Sequence, residues 1–283
     1  MHLNFPLSKI RQQVQLSLDE DIGHGDISAS LVKDTVSEAK LICREQAVLC
    51  GRTWFEQCFL QLDPNTAFNW TANDADRLIE NQEVCIIKGN AKALLTAERS
   101  AINFIQTLSA TASITNQYVQ LLANTKIKLL DTRKTIPGLR TAQKYAVRCG
   151  GGYNHRHGLY DGVLLKENHI IAAGGIDSAI DDARANIPHG LKIEIEVETL
   201  SEVEQALKAK ADILLLDNMS NDMVEEVIKM KNSLNQSTQL EVSGNMNEDK
   251  ILSLRELNID YISVGALTKN IDSIDFSLRF LEN

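Results

Sequence analysis

The chain has 283 residues, 43% of them hydrophobic, and carries 29 Lys and Arg against 38 Asp and Glu for a formal charge of −9. That length and core content suit one large α/β unit or two domains, and the acidic field excludes nucleic acid and anionic membranes as partners. Any anionic ligand must therefore be held by a local concentration of cations. No window approaches the roughly 20 apolar residues needed to cross a bilayer, and the N-terminal MHLNFPLSKIRQQ has no apolar leader core, so a soluble cytoplasmic protein is expected. Cys43, Cys50, Cys58, Cys85 and Cys149 form no C-x-x-C pair and read as buried free thiols.

The first third mixes periods. AKLICREQAVLC reads as strand material, WFEQCFLQL as a short helix, TAFNWTAND as a strand with a polar end, and EVCIIKGNA as a strand closed by a turn. From Ala93 to about Leu122 apolar residues recur three or four apart without Gly or Pro, predicting one or two helices that bridge two domains. From Lys126 six apolar runs follow: IKLLD, GVLLK, KIEIEVE, ADILLLD, QLEVSG and YISVGA. Helical patterns fill most of the gaps, which implies βα units and a parallel sheet. Three of those helices begin after a strand with Ser or Asn near the start and an acid close behind, in TLSEVE, NMSNDM and GNMNED, consistent with N-capping. Six strands are fewer than the eight of a full barrel, so a smaller or open barrel is favoured, with a doubly wound sheet as the alternative. Asp131, Lys166, Asp217, Ser243 and Gly265 all fall at or just beyond carboxyl ends of strands, where α/β folds place their chemistry.

Between Asp131 and Ile170 stand Arg133, Lys134, Arg140, Lys144, Arg148, Arg156 and Lys166 against Asp131, Asp161 and Glu167, a local charge of +4 from seven cations and three acids. This is the expected anion site, since Arg grips carboxylate or phosphate bidentately and Lys acts as a mobile point charge. The three consecutive glycines of GGGYNHRHG suggest close approach of the backbone to a ligand. His155, His157 and His169 lie within fifteen residues but bring no Cys or HExxH companion, which argues against zinc. Lys166 sits where a Schiff-base Lys would sit in a barrel aldolase, an alternative that spacing leaves open. In KIEIEVETL the alternation points Glu194, Glu196 and Glu198 to one side. If helices cover the outer face, these acids must face the barrel lumen or its mouth and need a cation or metal as partner. Asp217 ends a purely apolar run, and two carboxylates at neighbouring strand ends suit Mg²⁺ or sugar hydroxyls. The last two strands end in Ser and Gly, the usual phosphate position of such barrels. Together these parts fit a phosphorylated sugar carrying a pyrophosphate that reacts with a small dicarboxylate.

At these residues the chain resembles the quinolinate phosphoribosyltransferase family. The matching pieces are EDIGHGDIS, ERSAINFIQTLS, DTRKTIPGLR, KYAVRCGGGYNHRHGLYDGVLLKENH, IEIEVETLSE, ILLLDNM, LEVSGNM and DYISVGALT, which span nearly the whole chain. The resemblance implies an N-terminal α/β sandwich over residues 1–112, an open α/β barrel over 113–267, and a C-terminal segment, 268–283, that completes the sandwich. It implies joining quinolinate to 5-phosphoribosyl 1-diphosphate with Mg²⁺, release of pyrophosphate and CO₂, and formation of nicotinate mononucleotide. Arg133, Lys134, His155, Arg156 and Lys166 would line the quinolinate and pyrophosphate region, with Lys134 and Lys166 also catalytic. Glu196 and Asp217 would serve the ribose, the metal and the chemistry. Ser243, Gly244, Asn245, Val264 and Gly265 would bind the 5-phosphate, while Arg99 would reach into the neighbouring subunit's site of a homodimer. Two positions depart from the family pattern: Asn245 replaces a second Gly after Ser-Gly, and Lys269 replaces a His or small polar residue. If position 245 requires a positive φ, Asn is the least costly non-Gly choice. A relative acting on another nitrogen-containing acid and a barrel sensor without turnover are the remaining alternatives.

Overall fold

In the computed structural model, which describes residues 6–188, 190–234 and 237–281, the chain opens with helix α1 (Leu7–Ile22), whose Ile10, Val14 and Leu18 recur every fourth residue and are buried. Residues 1–5, part of the segment read as lacking a leader core, and 282–283, the end of the expected C-terminal segment, lie outside the described residues. There follow α2 (Ile27–Ser30), β1 (Val36–Cys43), β2 (Ala47–Val48), α3 (Arg52–Leu60), β3 (Ala67–Trp70), β4 (Arg77–Leu78) and β5 (Gln82–Asn90). Where one or two helices are expected, a single 31-residue helix, α4 (Ala91–Leu121), forms. Then come β6 (Lys128–Leu130), α5 (Arg140–Cys149), β7 (Val163–Leu165), α6 (Glu167–Ala173), α7 (Ile176–Asn186), β8 (Ile193–Val197) and α8 (Leu200–Lys208). The chain ends with β9 (Ile213–Asp217), α9 (Asn221–Ser233), β10 (Gln239–Ser243), α10 (Glu248–Leu254), β11 (Tyr261–Ser263), α11 (Ala266–Lys269) and β12 (Phe276–Phe280). No helix of the described residues is long and apolar enough to cross a membrane.

These elements form two compact units, one of residues up to 116 with 135–151 and from 267 onward, the other of 117–134 with 152–266. The segment 135–151, expected in the barrel domain, therefore groups with the first unit. Packing explains the difference. Helix α5 buries Ala142, Ala146 and Val147, Gln143 donates to the Thr268 carbonyl at 2.8 Å, and a Cβ on Gly150 would come within 2.4 Å of the Ala112 carbonyl oxygen. The first glycine of the triplet is thus needed for close packing on α4, not for a ligand as expected.

In the first unit an antiparallel sheet has the order β12-β1-β5-β3, so the last strand of the chain pairs with the first, Phe276 opposite Cys43 and Phe280 opposite Ala39. Trp54, Phe55 and Phe59 of α3 are fully buried with Leu41 and Ile87 of the sheet and Leu94, Ile105 and Leu108 of α4. Each such side chain contributes about 1.5–3 kcal/mol through removal from water. The five cysteines are buried and none forms a disulfide.

In the second unit six parallel strands have the order β6-β11-β10-β9-β8-β7, leaving β6 and β7 as edges. The strands are too apolar to face water on either side, as Leu214, Leu215 and Leu216 illustrate, and the helices between them supply the cover. Three helix starts are capped as their sequences suggest. Ser220 and Asn247 accept from the third helical N–H, whereas in TLSEVE the cap is Thr199, in a reciprocal box with Glu202, so the Ser falls inside the helix. Parallel connections bring every strand's carboxyl end to one side of the sheet, and the polar residues that follow the apolar runs gather there.

Candidate active site

On that side a cavity of about 300 Å³ is lined by Thr132, Arg133, Lys134, His155, Arg156, Leu164, Lys166, Glu196, Leu215, Asp217, Glu241, Ser243 and Ser263. Four of the seven cations expected to form one site, Arg133, Lys134, Arg156 and Lys166, meet here. The other three, Arg140, Lys144 and Arg148, lie on α5 of the first unit, where Lys144 is fully buried. Partial burial and the like charge of Arg133 both push the Arg156 guanidinium below its ordinary value. A bound anion would relieve both effects. The Arg156 side chain is steadied by donation from Nη1 to the Gly162 carbonyl at 3.2 Å, and the Lys134 N–H donates to Thr132 Oγ1 at 3.1 Å.

The three acids of KIEIEVETL separate by depth. Glu198 is exposed just past the strand, Glu196 is half-buried in the cavity wall, and Glu194 is buried in the lumen. Two of them find the partners their placement requires, one a cation and one a hydrogen-bond donor. Lys166 Nζ forms a close ion pair with Glu196, and His155 Nε2 lies 3.0 Å from Glu194 Oε2. Lys166 is therefore one half of a charge pair and not the isolated amine of the aldolase alternative. Asp217, at the end of β9, is half-buried and accepts from Asn218 Nδ2 at 2.8 Å. Glu196 and Asp217 present hard oxygen donors to the same cavity, a donor set that fits Mg²⁺.

Below this mouth His155, Glu194 and Glu241 bring their ligand atoms within 4.8 Å of one another, a buried cluster that could coordinate a divalent metal. Burial and the charge of Glu194 push the Glu241 carboxyl up to about 8. Neither Glu194 Oε1 nor Glu241 Oε1 has a hydrogen-bond partner. A second cavity, of about 340 Å³, opens at the strands' amino ends beside Lys128, Leu191, Lys192 and Tyr261, and shares His155, Arg156 and Glu241 with the first.

The expected phosphate turns have tight geometry. Gly244 adopts φ 98°, and a Cβ there would lie 2.2 Å from Asn218 Oδ1 and 2.7 Å from its backbone nitrogen, so only Gly fits. Asn245 adopts φ 44°, the left-handed conformation that Asn tolerates best after Gly. Gly265 lets the Lys134 side chain lie against the backbone, since an added Cβ would come 3.1 Å from its Cδ. Val264 is buried and its N–H is committed to the Leu130 carbonyl at 3.0 Å. Lys250 Nζ donates to the Gly244 carbonyl at 3.1 Å, held there by α10, whose N-cap Asn247 accepts from the Lys250 N–H. Lys250, Asn218 and Glu241 escape a reading by motif, with only the Asn-Met pair after ILLLD as a signal, whereas Glu194 is among the acids that the alternation of KIEIEVE turns inward. Arg99, on α4, is exposed and belongs to the first unit, as does Lys269.

Four cations gathered at the strand ends of a chain of net charge −9, two of them guanidiniums that repel each other, mark the second unit as an α/β-barrel enzyme for small, multiply charged anions. The C-terminal-domain profile of quinolinate phosphoribosyl transferase matches residues 111–279, and the N-terminal-domain profile matches residues 26–109. The chain belongs to the quinolinate phosphoribosyltransferase family. A solved nicotinate-nucleotide pyrophosphorylase from Francisella tularensis is 45% identical, with a TM-score of 0.94 over 99% of this chain and 98% of that one. The probable nicotinate-nucleotide pyrophosphorylase (carboxylating) of Bacillus subtilis is 38% identical over 92% of this chain and 89% of its own length. Quinolinate phosphoribosyltransferase (decarboxylating) 1b of Nicotiana tabacum is 33% identical over 97% and 83%.

Proposed function

We propose that this enzyme transfers the phosphoribosyl group of 5-phosphoribosyl 1-diphosphate to the ring nitrogen of quinolinate and decarboxylates the adduct, giving nicotinate mononucleotide, pyrophosphate and CO₂ for NAD biosynthesis. The observation that carries the reading is the meeting of Arg133, Lys134, Arg156 and Lys166 with Glu196 and Asp217 around one cavity. Two quinolinate carboxylates and a departing pyrophosphate require this many cations, and a sugar requires the acids. Arg133 and Arg156 hold the carboxylates, which offsets their mutual repulsion and turns the ring nitrogen toward C1. Lys134 and Lys166 stabilise the charge that develops on the pyrophosphate as the C1–O bond breaks. Glu196 and Asp217 face the ribose and favour positive character at C1. The 2-carboxylate leaves as CO₂ once the quaternary nitrogen can accept the electron pair, and a proton replaces it.

Mg²⁺, held by Glu196 and Asp217 together with the diphosphate, would supply further neutralisation of the leaving group. Ser243, Gly244, Asn245 and Gly265 receive the 5-phosphate in the same reading, and Val264 contributes by fixing the turn. Arg99 acts in the partner subunit of a homodimer. A cytoplasmic location is part of the proposal, supported by five buried cysteines of which none forms a disulfide.

The test is release of pyrophosphate and CO₂ by the purified protein with Mg²⁺ and the sugar diphosphate, quinolinate and nicotinate being compared side by side. Stoichiometric release of both products with quinolinate alone is expected. Pyrophosphate without CO₂, or no release with quinolinate, would overturn the reading in favour of another ring acid or a sensor.

A further inference from the structure

His155 lines the cavity, yet both of its ring nitrogens are engaged by the protein. Nδ1 accepts the Arg156 backbone N–H at 2.7 Å, and Nε2 lies 3.0 Å from Glu194 Oε2. An accepting Nδ1 places the ring proton on Nε2, where it donates to Glu194. A metal on Nε2 would need the opposite tautomer, with Nδ1 protonated, so the present hydrogen bonds use the cluster as a hydrogen-bonded support. The other side of the same segment is tied to β6. Asp131, fully buried, accepts from Asn154 Nδ2 at 2.6 Å and from the His155 N–H at 2.9 Å, and Tyr153 exchanges ladder bonds with Leu129 and Asp131. Residues 153–156 are thereby stretched from the β6 edge to Glu194 on β8.

We propose that Glu194 is a positioning residue for Arg156: through Nε2 and then Nδ1 of His155 it fixes the backbone from which the Arg156 guanidinium enters the cavity beside Arg133. Asp131 fixes the same backbone from β6. The two guanidiniums repel each other, so without these ties Arg156 would swing away from the position that grips a carboxylate. Glu194 touches no substrate in this arrangement; its charge also reaches the Arg156 guanidinium, but the positioning role is that of a hydrogen-bond acceptor. The substrate assignment rests on the functional reading given above.

The variants Glu194→Gln and Glu194→Met separate the possibilities, because Gln keeps an acceptor oxygen without charge and Met keeps the volume without an acceptor. Steady-state kinetics should leave Glu194→Gln within about two-fold of the native enzyme, while Glu194→Met raises KM for quinolinate by about ten- to a hundred-fold with KM for the sugar diphosphate unchanged. Damage to Glu194→Gln equal to that in Glu194→Met would overturn the proposal in favour of a required charge or a bound cation. Equal rises in both KM values, or a native-like Glu194→Met, would overturn it as well. Long-range ¹⁵N–¹H spectra of the His155 ring provide a reading that needs neither turnover nor the Met variant. An Nε2–H tautomer in the native protein and in Glu194→Gln is expected, and an Nδ1–H tautomer would sink the idea. If quinolinate is not turned over by the native enzyme, the functional reading fails while the tautomer still decides the support.

Discussion

Asn245 occupies a left-handed backbone position, φ 44°, beside Gly244 at φ 98°. A β-branched side chain is disfavoured there by about 1–2 kcal/mol, so Asn245→Val should lower stability by that amount in urea denaturation, whereas Asn245→Gly should be neutral within a few tenths. The Gly-to-Asn change is thus readable as a tolerated one, but the positive φ that makes it tolerable is a property of the turn. Glu241 gives a second residue-scale prediction. Its carboxyl is pushed up from the ordinary 4.5 to about 8 by burial and by Glu194, so the folded protein binds this proton more tightly than the unfolded chain does. The resulting contribution to stability is complete below about pH 4.5 and is lost as the pH rises through about 8. Glu241→Gln should flatten the decline of Tm across that window, and an unchanged slope would show that another group carries it.

At the scale of elements, the parallel strands are specified by their apolar runs and the helices between them by their caps. Thr199 and Glu202 cap α8 reciprocally, and the Thr199→Ala variant should lose about 1 kcal/mol of stability, measured as a lower urea midpoint with an unchanged slope. Most elements were legible because periodicity is local: six strand runs give six strands, and KIEIEVE gives β8 with its acids on one face. The glycine triplet misleads for the opposite reason. Gly150 owes its identity to Ala112 and Thr115, far away in sequence, and nothing in GGGYNHRHG distinguishes a packing glycine from one that admits a ligand. Likewise Arg140, Lys144 and Arg148 read as part of one basic cluster until α5 takes them into the first unit.

For the whole molecule, the family reading places Arg99 in the partner's site. An R99A protein mixed with a K134A protein should then recover part of the lost activity through heterodimers with one intact site, and no recovery after confirmed subunit exchange would place Arg99 in its own subunit's service. The sequence by itself determined the class of fold, the strand ends that carry chemistry, and the basic segment from which the cavity draws its cations. These follow from periodicity and from the rule that parallel strands present their carboxyl ends together. The tertiary structure alone decided which cations share a site, which acid meets which base, and that His155 is spent on Glu194 and Arg156 rather than left open. Pairings of this kind join residues such as Asp131, His155, Glu194 and Glu241 across separate strands and loops. Their distances are set by barrel curvature and packing, which no local pattern encodes.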